Sequence, residues 1–500
     1  MTLIEFIRAK NGELTAKADG LFLHSSYNPS KESERFAQNL KVERHEEAVI
    51  IIEPGISYVA GNLREIYPAK KIGAIRLEKS FREYDGLFDF VLDFCDDTRD
   101  DSELQNLLLG KLGEQMIFSA HFADWEPSKK AFAQGCARTH AAIKDAMEKA
   151  RTILVTREYF EKKWLLNSAA FVKYLRNPVS LREKIGMNVL IVASGPSLHN
   201  ALGTIREFQA DFFTIVLSSA LSACKKNGIS ADLVMSTDGG FWAGEHLKHL
   251  DYSTVLALSP ESFCAKNRLE RNPVLPLFYR DGLSKKLTSL CGFSGGVIAE
   301  RNGTVSGTAL EFALKNSSGK IYFSGLDMAT ARGFQHENPN EIEKNNEQKD
   351  DRLRPRSTRC LKSELSGESL GIYLQWFRNT DFEPGRIFRV INSPQNSLGR
   401  IQDITTADFK SLCEKNHGQA IAGKKEPLQK DFFVRMEDAP QNPQRITPHL
   451  DDIFDDDAVS QIFPLTSLSL RRNPGNNELK ERLAAEVSNL RAKIKDILND

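Results

Sequence analysis

Residues 188–198 read Asn-Val-Leu-Ile-Val-Ala-Ser-Gly-Pro-Ser-Leu. An unbroken apolar run of this length, rich in β-branched residues and closed by turn formers, predicts a strand buried on both faces, as in a parallel sheet covered by helices. The run breaks at Ser194-Gly195-Pro196-Ser197 and passes straight into a helical pattern. Gly195 lets a ligand approach the main chain, Pro196 suits the first helical position, and Ser197 sets a hydroxyl beside the free N–H groups of the helix start. With the helix dipole, those groups favour a phosphate; the same tetrapeptide also serves as an ordinary tight turn.

Outward from this stretch, strand patterns at 188–193, 212–217, 232–236, 254–258, 274–279 and 320–324 alternate with helical ones, and a last strand pattern falls at 388–391. The expected architecture is α/β, a central Rossmann-like domain with a mostly parallel sheet. Ligands in such sheets lie beyond the carboxyl ends of the strands. The residues expected there are Ser194, Ser218, Ser219, Thr237, Asp238, Gly325 and Asp327, all small or polar. Asp327 suits accepting from ligand hydroxyls, binding a metal, acting as a base, or capping a turn. The stretch Asn302 to Leu314 opens with small and hydroxyl residues, and its helix start presents Thr304, Ser306, Gly307 and Thr308 either to an anionic or sugar-like ligand or to ordinary capping.

Between Ala331 and Arg359 six acids precede four arginines. Too polar to order itself by apolar burial, this insertion reads as a solvated loop or as a lid ordered by ligand. Arginine forks suit phosphate, so Arg354 and Arg356 are expected to close over an anionic donor, and His336 in the same loop suits proton transfer. His199, His246 and His249 read as surface residues on helices. No Ser-His-Asp order, HExxH or Walker lysine motif is evident, so hydrolase and kinase readings lack their parts.

Before this domain, Ala48–Ile52 ends in Glu53-Pro54-Gly55, a helical pattern runs to about Pro68, and Lys71–Leu77 closes in Glu78. This is a βαβ unit with one glycine where a phosphate-binding turn wants two or three, a structural or degenerate Rossmann-like domain. Residues 128–176 read as helix, ended by Asn177-Pro178. The expected division is 1–125 amino-terminal α/β domain, 126–178 helical connector, 179–400 central catalytic domain, and 401–500 irregular arm with an amphipathic helix along Leu479, Leu483, Val487, Leu490, Ile494 and Leu498.

Composition sets the outer bounds. The chain's 500 residues exceed one core, and its 67 basic and 67 acidic residues cancel, which removes a global charge argument for nucleic acid or an anionic membrane. Seven scattered cysteines without a CxxC pair argue for a reducing compartment and against structural zinc. No secretory leader pattern and no bilayer-length apolar run is seen, so the expectation is a cytoplasmic protein without a membrane span.

Taken together, the Ser194–Ser197 turn, the Gly228-Ile229-Ser230-Ala231-Asp232 lead into a strand ending at Asp238, the Gly303–Ser306 helix start and Gly325-Leu326-Asp327 resemble the motility-associated-factor (Maf) family of flagellin glycosyltransferases. His24-Ser25-Ser26-Tyr27-Asn28-Pro29 resembles the amino-terminal part of its members, and the likeness runs over residues 20–400. It implies a cytoplasmic enzyme that transfers a nonulosonic, sialic-acid-like sugar from a CMP-activated donor to Ser or Thr of flagellin, without a cofactor or metal. The central domain is similar to bacterial sialyltransferases. By that likeness Ser194, Gly195, Pro196 and Ser197 hold the donor nucleotide, Ser306 and Gly307 form a helix start near it, Gly325 and Asp327 follow the next strand, and Asn392-Ser393 make a late polar turn. Where the sialyltransferases carry asparagine this chain has Ser194. Their catalytic histidine falls in the region of the 331–360 loop, which leaves His336 with Asp327 as the candidate catalytic pair. The same domain also resembles archaeal pterin diphosphokinases of the MptE type, which implies Mg²⁺ on Asp238 or Asp327. A non-catalytic relative that binds flagellin or a nucleotide is the third reading.

Overall fold

The computed structural model describes residues 2–95, 101–280, 282–290, 296–300, 302–328, 334–355, 368–422, 431–436, 446 and 449–499. The chain divides into two compact units, Met1–Tyr159 with Asp456–Val487, and Phe160–Asp455 with Ser488–Asp500. The boundary at Tyr159 falls within one long helix, Ala133–Tyr174.

In the first unit β1 (Ile4–Arg8), β2 (Leu14–Ala18) and β3 (Leu21–Phe22) form an antiparallel sheet. β4 (Ala48–Ile52), β5 (Lys71–Arg76), β6 (Phe90–Asp93) and β7 (Ala120–Asp124) form a parallel sheet in the order β6-β5-β4-β7. Counted along the chain this is 3-2-1-4, the strand order of half a Rossmann fold. Every residue of Ala48–Ile52 is buried, because helices cover both faces of a parallel sheet.

The second unit holds β8 (Val179–Leu181), β9 (Asn188–Val192), β10 (Phe212–Leu217), β11 (Leu233–Ser236), β12 (Val255–Leu258), β13 (Val274–Tyr279), β14 (Val297–Ala299), β15 (Ile321–Ser324), β16 (Ile387–Ile391), β17 (Gln402–Thr405) and β18 (Phe433–Arg435). β8 and β18 pair antiparallel. The other nine make one sheet in the order β14-β13-β12-β11-β10-β9-β15-β16-β17, parallel at every pairing. Alternate residues of β9 point to opposite faces. Val189 and Ile191 enter one apolar cluster, Leu190 and Val192 the other, so the quoted strand is the spine of two cores.

The expected α/β class and the Rossmann-like parallel sheets are therefore present. Two strands of the nine-stranded sheet have no clear sequence signal. β14 is three residues long, and β17 reads Gln-Asp-Ile-Thr because an edge strand is exposed. The carboxyl-terminal arm needs a correction. The arm from residue 401 reads as irregular up to its amphipathic helix, yet Thr406–Ala422, Asp456–Ile462 and Pro464–Arg472 are helical. These helices bury few but large apolar groups, among them Phe409, Ile462 and Leu468, and a polar composition hides them. The last helix, Asn477–Asn499, buries Val487, Leu490, Ile494 and Leu498 as its spacing predicts. Among the described residues no helix is long and apolar enough to cross a membrane.

Candidate functional site

The strand order of the second unit reverses direction at β9. From β9 the chain builds outward through β10 to β14, then returns to lay β15 on the other side of β9. In open α/β sheets the crevice outside the carboxyl ends at such a reversal is where ligands bind. The loops that leave β9 and β15 are Ser194–Ser197 and Gly325–Asp327, the two segments singled out from sequence.

They are bonded to each other. The Gly195 N–H donates to the Gly325 carbonyl at 2.8 Å. Ser197 N–H donates to Asp327 Oδ2 at 2.7 Å, the Ser197 hydroxyl bonds to Oδ1, and Gln395 Nε2 donates to Oδ1 at 3.0 Å. Ser197 and Asp327 are both buried. Glycine is required at both ends of this contact. A Cβ on Gly195 stands 2.5 Å from the Gly325 oxygen and 2.8 Å from Asp327 Oδ2; Gly325 has φ +76°, and its Cβ stands 2.3 Å from the Ala193 oxygen. The geometry changes one reading. The Gly195 and Ser197 amides, expected to meet a phosphate, already serve Gly325 and Asp327, and the segment Pro196–Asn200 is a short 3₁₀ turn rather than a helix start. Asp327 thus braces the turn with both carboxylate oxygens.

Beside the turn, Ser194 Oγ lies 2.8 Å from Ser219 Oγ, so the ends of β9 and β10 meet through hydroxyls, with Ser218 buried next to them. At the end of β11, Thr237 is half-buried and Asp238 is exposed, accepting from the Gly240 N–H at 2.9 Å. The helix Val305–Asn316 starts on the same side. Thr304 caps it by accepting from Ser306 N–H at 3.3 Å, and Ser306, Gly307 and Thr308 are buried in its first turn. This start is the better candidate for an anion cradle, because it keeps an unused donor. Asn302 packs where a Cβ on Gly307 would stand, 2.7 Å away; its Oδ1 accepts from the Thr308 hydroxyl at 3.1 Å, and its buried Nδ2 has no partner. Tyr373 lies against Gly303, and burial and then the Asp238 charge push its phenol up from its ordinary value, so it stays a donor. Asn302 lay within a motif without a role assigned, and Tyr373, on a helix after a polar insertion, gave no sequence signal.

Residues 334–355 follow, and part of the expected lid rests on the turn. Glu337 N–H donates to the Ser194 oxygen at 2.6 Å, and Asn340 Nδ2 to the Ser219 oxygen at 2.9 Å. His336 therefore sits one residue from the turn. Its Nδ1 is buried without a hydrogen-bond partner, 3.5 Å from Glu343 Oε1. Burial raises the Glu343 carboxyl, but His336 and the amides of Gln335 and His336 outweigh it and hold the group below its usual range. The surface reading holds for His199 and His249 but not for His246, which is buried with Nδ1 2.7 Å from Glu341 Oε2; Ser222 Oγ reaches the other oxygen at 2.5 Å. Arg354 is exposed, its amide capped by Asp351 at 2.7 Å, and Arg356 lies outside the described residues. Asn392 and Ser393 are exposed at the end of β16, next to β15.

The first unit has a corresponding crevice at β4 and β7, and its own side chains fill it. Ile56 N–H donates to His24 Nε2 at 2.9 Å, and a Cβ on Gly55 stands 2.5 Å from that nitrogen. Glu53 and Arg76, both fully buried, pair at 2.7 Å, and Glu53 also accepts from the amides of Leu77 and Glu78.

These features define a Rossmann-like protein with a candidate ligand crevice at a strand reversal. Residues 162–333 match the MptE-like family, described as 6-hydroxymethylpterin diphosphokinase MptE-like. Over the whole length, the fold is similar to the structure of the Maf glycosyltransferase from Magnetospirillum magneticum AMB-1, with TM-score 0.52 and 14% identity, covering 99% of this chain and 90% of that one. An uncharacterized protein of Treponema pallidum (strain Nichols) is 27% identical over 402 residues, 78% of this chain and 89% of its own length. The protein accordingly has a Maf-like fold with an MptE-like central domain.

Proposed function

We propose that the second unit is a glycosyltransferase that moves a nonulosonic sugar from a CMP-activated donor to a Ser or Thr hydroxyl of flagellin, in the cytoplasm and without a metal. The observation that carries this reading is the bonded pair of loops at the β9/β15 reversal, Gly195 to Gly325 and Ser197 to Asp327, within a Maf-like fold.

In this reading the nucleotide lies along Ser194–Ser197, Ser218 and Thr237, with Asn392 and Ser393 on the far side of β15. The phosphate meets the first turn of Val305–Asn316, where the helix dipole and the unpartnered Asn302 Nδ2 stabilise the charge that grows as CMP departs. Arg354 and Arg356 add forked donors when the segment closes. The acceptor oxygen bonds to the anomeric carbon as the bond from that carbon to the phosphate oxygen breaks, and the hydroxyl proton passes to His336. Asp327 acts through Ser197, as a brace.

Incubating the protein with a CMP-nonulosonate and flagellin, then weighing flagellin by intact-mass spectrometry, tests the proposal. Gain of the sugar mass, lost in His336→Gln, supports it; an unmodified acceptor with several CMP-nonulosonates opposes it. A second reading, a Mg²⁺-dependent pterin diphosphokinase, is favoured by the family match over 162–333. It requires pyrophosphate transfer from ATP and loss of activity in Asp238→Asn.

A further inference from the structure

A fully buried arginine stands in β16. Arg389 occupies a strand interior, where parallel sheets carry apolar side chains, and its side chain is 0% exposed. Its guanidinium forks onto Asp403 of β17, Nε to Oδ1 at 2.7 Å and Nη2 to Oδ2 at 2.8 Å. Nη2 also donates to the Asn396 carbonyl at 2.8 Å, and Nη1 to the Leu326 carbonyl at 3.4 Å. Stability alone is a poor reason for such a group, since exchanging a buried ion pair for apolar residues of similar volume is often neutral or favourable.

The two carbonyls suggest another reason. Leu326 precedes Asp327, and Asn396 follows Gln395; Gln395 Nε2 and Ser197 meet on the Asp327 carboxylate. One planar fork therefore fixes both loops that seat the Ser194–Ser197 turn. We infer that Arg389 is a positioning residue of the donor site, holding Asp327 and Gln395 so that the turn is preformed before ligand arrives. The inference rests on reading this crevice as the donor site.

Arg389→Lys tests it, because an ammonium still pairs with Asp403 but lacks the fork that bridges both carbonyls. Two readouts are taken on the full chain, amide hydrogen exchange without ligand and CMP titration. Protection of the Gly195 and Ser197 amides is expected to fall roughly tenfold while the β10 amides keep theirs, and CMP affinity to fall by a similar factor. Unchanged protection at Gly195 and Ser197, or an equal loss throughout β10, overturns the inference and makes Arg389 a structural residue. If the wild-type protein binds no CMP, the donor-site reading fails, and the exchange data alone decide whether Arg389 positions the turn. Should Arg389→Lys not fold, Asp403→Asn, which loosens the fork from the opposite side, is read by the same criteria.

Discussion

Replacing Gly195 by alanine separates a preformed site from an incidental turn. Gly195 has φ −62°, which any residue adopts, so the backbone pays nothing and only space matters. The new Cβ would stand 2.5 Å from the Gly325 oxygen and 2.8 Å from Asp327 Oδ2. Both atoms are held, the first by the Gly195 amide and the second by Ser197, so relief requires the two loops to part by most of an ångström. Overpacking costs about 1–3 kcal/mol and one or two weakened hydrogen bonds about 1 kcal/mol each, together ~2–5 kcal/mol. In a unit of this size that is a fall of about 4–10 °C in melting temperature. The control is Gly203→Ala in the helix Leu202–Phe208, where nothing lies within 4 Å of the added methyl. Both variants remove one glycine from the unfolded chain, so that contribution is shared. Gly203→Ala is expected to gain about 0.5–1 kcal/mol. Calorimetric melts of the three proteins give the answer, and equal melting temperatures for Gly195→Ala and wild type refute the contact on which the site is built.

Three other outcomes are expected. The His24 imidazole, buried and facing Arg76, is brought down to about 3 by burial first and the Arg76 charge second. Its neutral form belongs to the folded state, so stability is full above the unfolded value of about 6.5 and falls as pH drops toward 3, by ~4–5 kcal/mol at most. Urea melts across this window should show the slope and His24→Asn should lose most of it; an identical slope in the variant contradicts the assignment. Asn340, fully buried, caps Glu341–Gln348 and holds the Ser219 oxygen, so Asn340→Ala should cost about 2–3 kcal/mol locally and speed proteolysis of residues 334–349 severalfold; an unchanged cleavage rate counts against docking of this segment. Replacing Arg354 and Arg356 together by alanine should weaken CMP binding roughly tenfold or more, and an unchanged affinity removes these arginines from the donor site.

Much of the central sheet was legible because parallel strands buried on both faces are continuous apolar runs with turn residues at their ends. The candidate strands from 188–193 to 320–324 match β9 to β13 and β15 to within a residue. The loops after β9 and β15 were legible for the same reason, as glycine and hydroxyl residues directly after such runs. What each group does there was not. Whether the amides of Gly195 and Ser197 are free depends on Gly325 and Asp327, some 130 positions away, and no local pattern carries that information. His246 looks solvent-facing at the end of the short helix Phe241–His246, and only Glu341, from a distant insertion, makes it a buried partner. Arg389 reads as an interruption of an apolar strand until Asp403 and the two carbonyls are in place.

The central claim is that CMP binds at the β9/β15 reversal. Isothermal titration of the full chain with CMP, CTP and ATP, with and without Mg²⁺, alongside Gly195→Ala, tests it most directly. The account predicts metal-independent CMP binding that Gly195→Ala weakens by at least about tenfold. Binding of ATP only with Mg²⁺, or CMP binding that is indifferent to Gly195→Ala, contradicts it.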